Sequence, residues 1–206
     1  MNLMKSNSGR LLLTALASVV FVSSAFAADY KVDPTHSRVG FTIKHLVGKV
    51  KGEFKAFEGT FKFDPASLGD ASGKFTVKMD SINTNEPKRD GHLKSPDFFD
   101  VKKYPEMTLG KVAITQGSDK DKYKMTGDLT LHGVTKPVSF DVEYGGLAKD
   151  PWGNMRAGFS ATGKINRKDF GIVWNKTLDA GGLMLGEDVS IDLEVEAIQA
   201  PAVAAK

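Results

Sequence analysis

Val39-Gly40-Phe41-Thr42-Ile43-Lys44-His45 alternates apolar and polar residues until the last position, where a histidine stands in phase with Val39, Phe41 and Ile43. Side chains on a β-strand point alternately to opposite faces, so this stretch has one apolar face and one wet face. The same rhythm runs outward from it in Phe57, Phe61 and Phe63, in Phe75, Val77 and Met79, and in Val189, Ile191, Leu193 and Val195. Eight strand regions follow. They cover about 30–46 (interrupted near Pro34), 49–64 (bent near Lys55-Ala56), 72–82, 105–115, 122–133, 136–145, 155–168 and 187–198. Breaks are expected at Asp64-Pro65, Gly69-Asp70, Gly117-Ser118, Gly145-Gly146 and Pro151-Trp152-Gly153. The Gly133–Lys136 link is compact, which argues for antiparallel hairpins, and Pro137 sits where a ladder donor is dispensable.

No segment reads as a crossover helix between parallel strands. Asn85–Lys94 is the one helix candidate, weakened by Gly91, and it is expected to cover an end of the sheet. Eight antiparallel strands with one apolar face each can form a sandwich or a closed barrel. Long strands, and glycines within them at Gly40, Gly59, Gly127, Gly158 and Gly163, favour the barrel, where tight curvature needs such positions. The predicted fold is therefore all-β, an eight-stranded antiparallel barrel with a short helical cap. Such a barrel has room for packed side chains or for one small ligand.

Residues 1–27 read as a cleaved signal peptide. Lys5 and Arg10 precede the apolar run Leu11–Phe21, and Ala25-Phe26-Ala27 is a small-x-small cleavage site. The run is shorter than the roughly 20 residues of a membrane-spanning helix. Residues 28–199 are read as the barrel domain and 200–206 as a flexible small-residue tail. Without the leader the basic residues fall from 28 to 26 against 25 acidic ones, so the charge is nearly balanced. Lysines and acids are interspersed, and nothing suggests nucleic-acid binding. The chain has no cysteine. That excludes thiol catalysis, thiolate metal sites and a disulfide scaffold, and it fits export to a periplasm.

The histidines are His36, His45, His92 and His132, with no HxH or HExxH spacing to suggest a metal site. His45 should point inward, where an imidazole needs a polar partner from the protein or a ligand. His36 is expected to make local hydrogen bonds in its turn. Lys88–Lys94 forms either a solvated cap or a ligand entrance where Arg89, His92 or Lys94 meets an anionic head, with Phe98 and Phe99 as its apolar anchor. Arg167 and Asp169 are expected to pair across a barrel end. Trp152 and Trp174 read as plugs or rim packers, either of which can face a hydrocarbon chain. Nucleophile-elbow, phosphate-loop and dinucleotide motifs are missing, and no spacing suggests a catalytic triad, so the chain does not read as an enzyme.

Four segments together resemble the YceI-like family, which is lipocalin-like and binds polyisoprenoids. They are Tyr30–Asp33 with His36–Phe41 and Ile43–His45; Asp90–Ser95 with Asp97–Asp100 and Tyr104-Pro105; Gly127–Val138; and Arg167–Gly171. The resemblance covers essentially all of the chain after the leader. It implies an eight-stranded barrel holding a long apolar lipid, a polyisoprenoid or a quinone-like molecule, in an elongated pocket. It also implies a periplasmic location, a link to stress responses, and a cytochrome b561-like membrane protein as partner. A homodimer is compatible with the pattern.

The barrel interior expected to bury such a chain is Phe41, Ile43, Phe61, Phe75, Val77, Met79, Met125, Leu129 and Phe159. Phe99 and Trp174 stand at its edge, and His45, Arg89 and His92 are its polar contacts. Each methylene buried there is worth roughly 0.8 kcal/mol. The same side chains could fill the barrel solidly, as in an envelope scaffold or stress protein. A third reading is an enzyme acting on isoprenoid or quinone intermediates through His36, His45 or His92.

Overall fold

The computed structural model describes residues 27–64, 67–117, 119–179 and 183–201; of residues 68–70 it describes the backbone alone. Of the expected signal peptide (1–27) residues 1–26, and of the expected tail (200–206) residues 202–206, lie outside the described residues.

The first described elements are β1 (Ala28–Val32) and β2 (Arg38–His45), two parts of one strand split by the turn at Pro34. The second strand is likewise split, into β3 (Gly48–Phe54) and β4 (Phe57–Asp64), at Lys55-Ala56. The third comprises β5 (Ser67–Lys78), a 3-10 turn at Met79–Ser81 and β6 (Ile82–Asn83). Helix α1 (Pro87–Lys94) follows, and then β7 (Glu106–Gln116), β8 (Lys122–Leu131), β9 (Val134–Lys149), β10 (Met155–Asn166) and β11 (Leu185–Gln199). Every pairing is antiparallel, and sequential strands are neighbours. β11 closes the ring by pairing with β1 at one end (Tyr30 opposite Gln199) and with β2 at the other (Ile43 opposite Val189). The result is the eight-stranded closed barrel with a short helix.

Three local readings change. Gly69-Asp70 lies inside β5 instead of breaking it. Gly145-Gly146 does not end a strand either. β9 continues to Lys149, and the register shifts there, with Tyr144 opposite Phe159 but Gly146 opposite Gly158. This is a bulge, with Gly146 at φ +102°, and it adds local twist. The turn between β8 and β9 is His132-Gly133, both left-handed at φ +51° and +76°, so Pro137 falls within β9 opposite Asp128. A two-residue turn of that kind matches the strand twist.

Inside the barrel, large rings cover glycines on the neighbouring strand. Phe41 lies over Gly52, Phe75 over Gly59 and Phe140 over Gly163, where a Cβ would come within 2.3–2.5 Å of the ring. The lower end is packed by Tyr30, Phe61, Phe63, Tyr144 and Phe159, with neighbouring ring centroids 4.6–6.0 Å apart. Ala157 and Ala197 are fully buried beside them and leave room for the rings.

Helix α1 sits over the other end. Pro87 occupies its first turn, and the Glu86 carboxylate accepts from the Lys88 and Arg89 amides. Asp90 Oδ1 accepts from the Thr84 amide at 2.9 Å, which ties the helix to β6.

Candidate functional site

Between α1 and the barrel lies a cavity of about 220 Å³. Its walls come from β2, β3, β7, β8, β10 and β11, and its roof from α1, Phe98, Phe99 and the segment after β10 that carries Ile172 and Trp174. Alternation on β2 turns Val39, Phe41, Ile43 and His45 inward, and all four line it. A second cavity of about 80 Å³ lies toward the other end, between β4, β5, β7, β8, β9, β10 and β11.

The fourteen residues expected to contact a ligand divide three ways. Phe41, Ile43, His45, Arg89, His92, Phe99 and Trp174 line the upper cavity. Phe61, Phe75, Met125 and Phe159 line the lower one. Val77, Met79 and Leu129 line neither; they are buried in the packed layer beside the upper cavity.

Register explains the division. Along β8 the upper cavity takes Leu131 and the lower Met125, with Leu129 between them. Along β7 Met107 faces the upper cavity and Val112 the lower, and Leu109, opposite Leu129, packs against both core layers. Leu193 holds the same intermediate place on β11, between Ile191 and Val195. Leu109, Leu129 and Leu193 thus hold the inward positions between the two cavities, and the interior is not solid. The upper volume falls below the roughly 300–1,000 Å³ of typical ligand pockets.

Four polar residues line the upper cavity: His45, Arg89, His92 and Arg167. Arg89 is held at the helix by Thr84, with Nε to Oγ1 at 2.8 Å and Nη2 to the carbonyl at 2.7 Å. His92 Nε2 bonds Asp97 at 2.9 Å, and its ring meets Phe98 and Trp174 edge-on at 5.0 Å. His45 makes no side-chain hydrogen bond among the described residues and sits half-buried at the rim. Lys94 is not part of the lining.

Arg167 corrects the sequence reading. It does not pair with Asp169, which is exposed. Instead the 3-10 turn Arg167–Phe170 turns it inward, 4% exposed. Nε donates to the Gly186 carbonyl at 2.9 Å and Nη1 to that of Ile172 at 2.7 Å, while Nη2 is buried without a partner among the described residues. Burial pulls its pKa down from the ordinary arginine value, and the nearby Glu187 carboxylate opposes this. The signal that could have found it is the rhythm itself: Phe159, Ala161, Ile165 and Arg167 share one parity.

The two tryptophans part company. Trp174 is half-buried in the cavity wall, whereas Trp152 stands 81% exposed in the β9–β10 turn and plugs nothing. Around the upper mouth Leu46, Val47, Val173 and Leu183 are exposed beside lining residues, with the Leu46 amide bonded to the Met184 carbonyl.

His36 makes the local hydrogen bond expected of it, from Nδ1 to Asp33 at 2.8 Å. Asp33, His36 and Glu196 converge closely enough to suggest a metal site, but a guanidinium already bridges the two carboxylates. Arg156 Nη1 binds Asp33 at 2.8 Å and also Glu196, and its Nε binds Asp150 at 2.9 Å.

With this geometry in view, comparison with known proteins is informative. The family model described as "YceI-like domain" matches residues 30–197. A UPF0312 protein of Photorhabdus laumondii is 43% identical over 185 residues, covering 88% of this chain and 93% of its own. Among solved structures, BcnA of Burkholderia cenocepacia superposes with a TM-score of 0.70 at 25% identity, over 80% of this chain and 98% of its own. A polyisoprenoid binding domain from Saccharophagus degradans shares the fold, with a TM-score of 0.61 at 15% identity over 83% of this chain and 98% of its own. The closed barrel, the four signature segments and these matches together establish that the chain belongs to the YceI-like family.

Proposed function

We propose that this is an exported, periplasmic protein that binds an amphiphilic lipid with an apolar chain, an isoprenoid in the first instance, and performs no chemistry on it. The observation that carries this reading is the upper cavity, an apolar space of about 220 Å³ capped by a helix and bordered by exposed apolar residues at its mouth. Its lining contains no serine, threonine, tyrosine, lysine, aspartate or glutamate, so among the described residues no nucleophile–base pair faces it. The leader at 1–27 supports export. The name of the Saccharophagus domain supports the ligand class. A quinone-type head is the finer form of the same reading.

The chain has two tryptophans, and only Trp174 lines the cavity. A Trp152→Phe variant therefore reports on the site alone. Titration with a fifteen-carbon isoprenoid alcohol should give a saturable change in emission with one ligand per chain. Unchanged emission, with no alcohol retained after gel filtration, contradicts the proposal.

A further inference from the structure

The polar lining of the upper cavity is one-sided. It includes two arginines and two histidines and no acidic residue. Arg89 is anchored by Thr84 and His92 by Asp97, but Arg167 is different. A guanidinium carries five N–H donors and accepts nothing. The acceptors Arg167 has are two neutral carbonyls, and they fix its plane from the Nε and Nη1 sides. Nη2 is left buried and, among the described residues, without a partner. The nearby carboxylate of Glu187 is engaged by Lys168. Leaving a donor of a buried cation unsatisfied in an apolar wall costs more than leaving a neutral one, so such groups normally meet an acceptor. Arg167 lines the cavity, so a ligand acceptor can approach Nη2 from there once the side chains covering that atom shift.

We propose that Arg167 is the head-group anchor of this site, with Nη2 donating to an anionic oxygen, a carboxylate or a phosphate, on the bound amphiphile. This rests on the reading that the cavity takes an apolar chain. It adds that the head enters beneath the α1 cap instead of staying in solvent at the rim, and that charged heads are preferred over hydroxyl or hydrocarbon ends. The two carbonyls hold the guanidinium before the ligand arrives, which lowers the ordering cost of binding.

Three probes with one chain test it: farnesol, farnesoic acid and farnesyl monophosphate, titrated at neutral pH and followed by Trp174 emission in the Trp152→Phe background. The acid or the monophosphate should bind roughly ten- to a hundred-fold tighter than the alcohol, the range of a hydrogen bond to charged groups. Which of the two is tighter identifies the head. In Arg167→Met that preference should collapse to within about three-fold while farnesol still binds; Arg167→Lys should keep part of it. Circular dichroism checks the fold. Should Arg167→Met not fold, the wild-type ranking and Arg167→Lys carry the test. Equal affinity for all three in the wild type, or a preference that survives in Arg167→Met, overturns the anchor while leaving the cavity reading intact. Failure of all three to bind the wild type overturns both.

Discussion

Arg156 shows how single residues hold the lower end of this barrel. The Asp33 and Asp150 side chains are 10% and 6% exposed, and both bind its guanidinium. Hydrogen bonds from Thr35, then Arg156 and His36, hold the Asp33 carboxyl well below the usual carboxylate range. At Asp150 burial pushes the pKa up, but hydrogen bonds from Asn154, Arg156 and backbone amides outweigh it and leave the group at about 2. Both folded values lie below the ordinary 3.8, so the unfolded chain binds more protons in this range. The stability they add is complete above the ordinary value and is lost as pH falls through the folded ones. Resistance to urea should therefore fall between about pH 4 and pH 2. Arg156→Met should be less stable at pH 7 and lose less over that interval; an unchanged slope would show that the network is not responsible. Residue-level placement was legible in sequence where parity carried it, as at His45, which lines the upper cavity. Arg167 had the right parity too, but a nearby aspartate offered a pairing that the 3-10 turn prevents.

At the scale of elements, strand positions were readable because alternation and turn residues agree. The bulge at Gly145-Gly146 was not, because a glycine pair has the same composition whether it ends a strand or distorts it. The capping helix was visible from Asn85 to Lys94, and two substitutions probe the local geometry around it. Gly91 is exposed, has ordinary helical φ and would place a Cβ in open space. Gly91→Ala should raise stability by about 0.5–1 kcal/mol, measured by chemical unfolding. Gly133 is the opposite case. Its φ of +76° and a Cβ position 2.5 Å from the Tyr104 ring mean that Gly133→Ala should destabilise by about 1–2 kcal/mol or more. A neutral Gly133→Ala would contradict the turn assignment.

Over the whole molecule, the barrel interior holds a larger cavity above and a smaller one below, with Leu109, Leu129 and Leu193 at the inward positions between them. The alternating pattern gave the inward face of every strand, yet it could not show this division, since leucines that fill a layer and leucines that line a cavity occupy the same parity. Leu129 is 5% exposed. Leu129→Ala should cost about 2–5 kcal/mol and connect the cavities, so that affinity rises more for a twenty-carbon isoprenoid than for a fifteen-carbon one. Equal gains for both lengths would place the barrier elsewhere. That the upper cavity holds a lipid chain is tested most directly by native mass spectrometry of the purified protein, released gently and mixed with isoprenoid lipids. The expected result is a one-to-one lipid adduct that disappears in a folded Phe41→Asp variant. A wild-type protein that stays bare throughout, or a Phe41→Asp variant that binds as well, would contradict it.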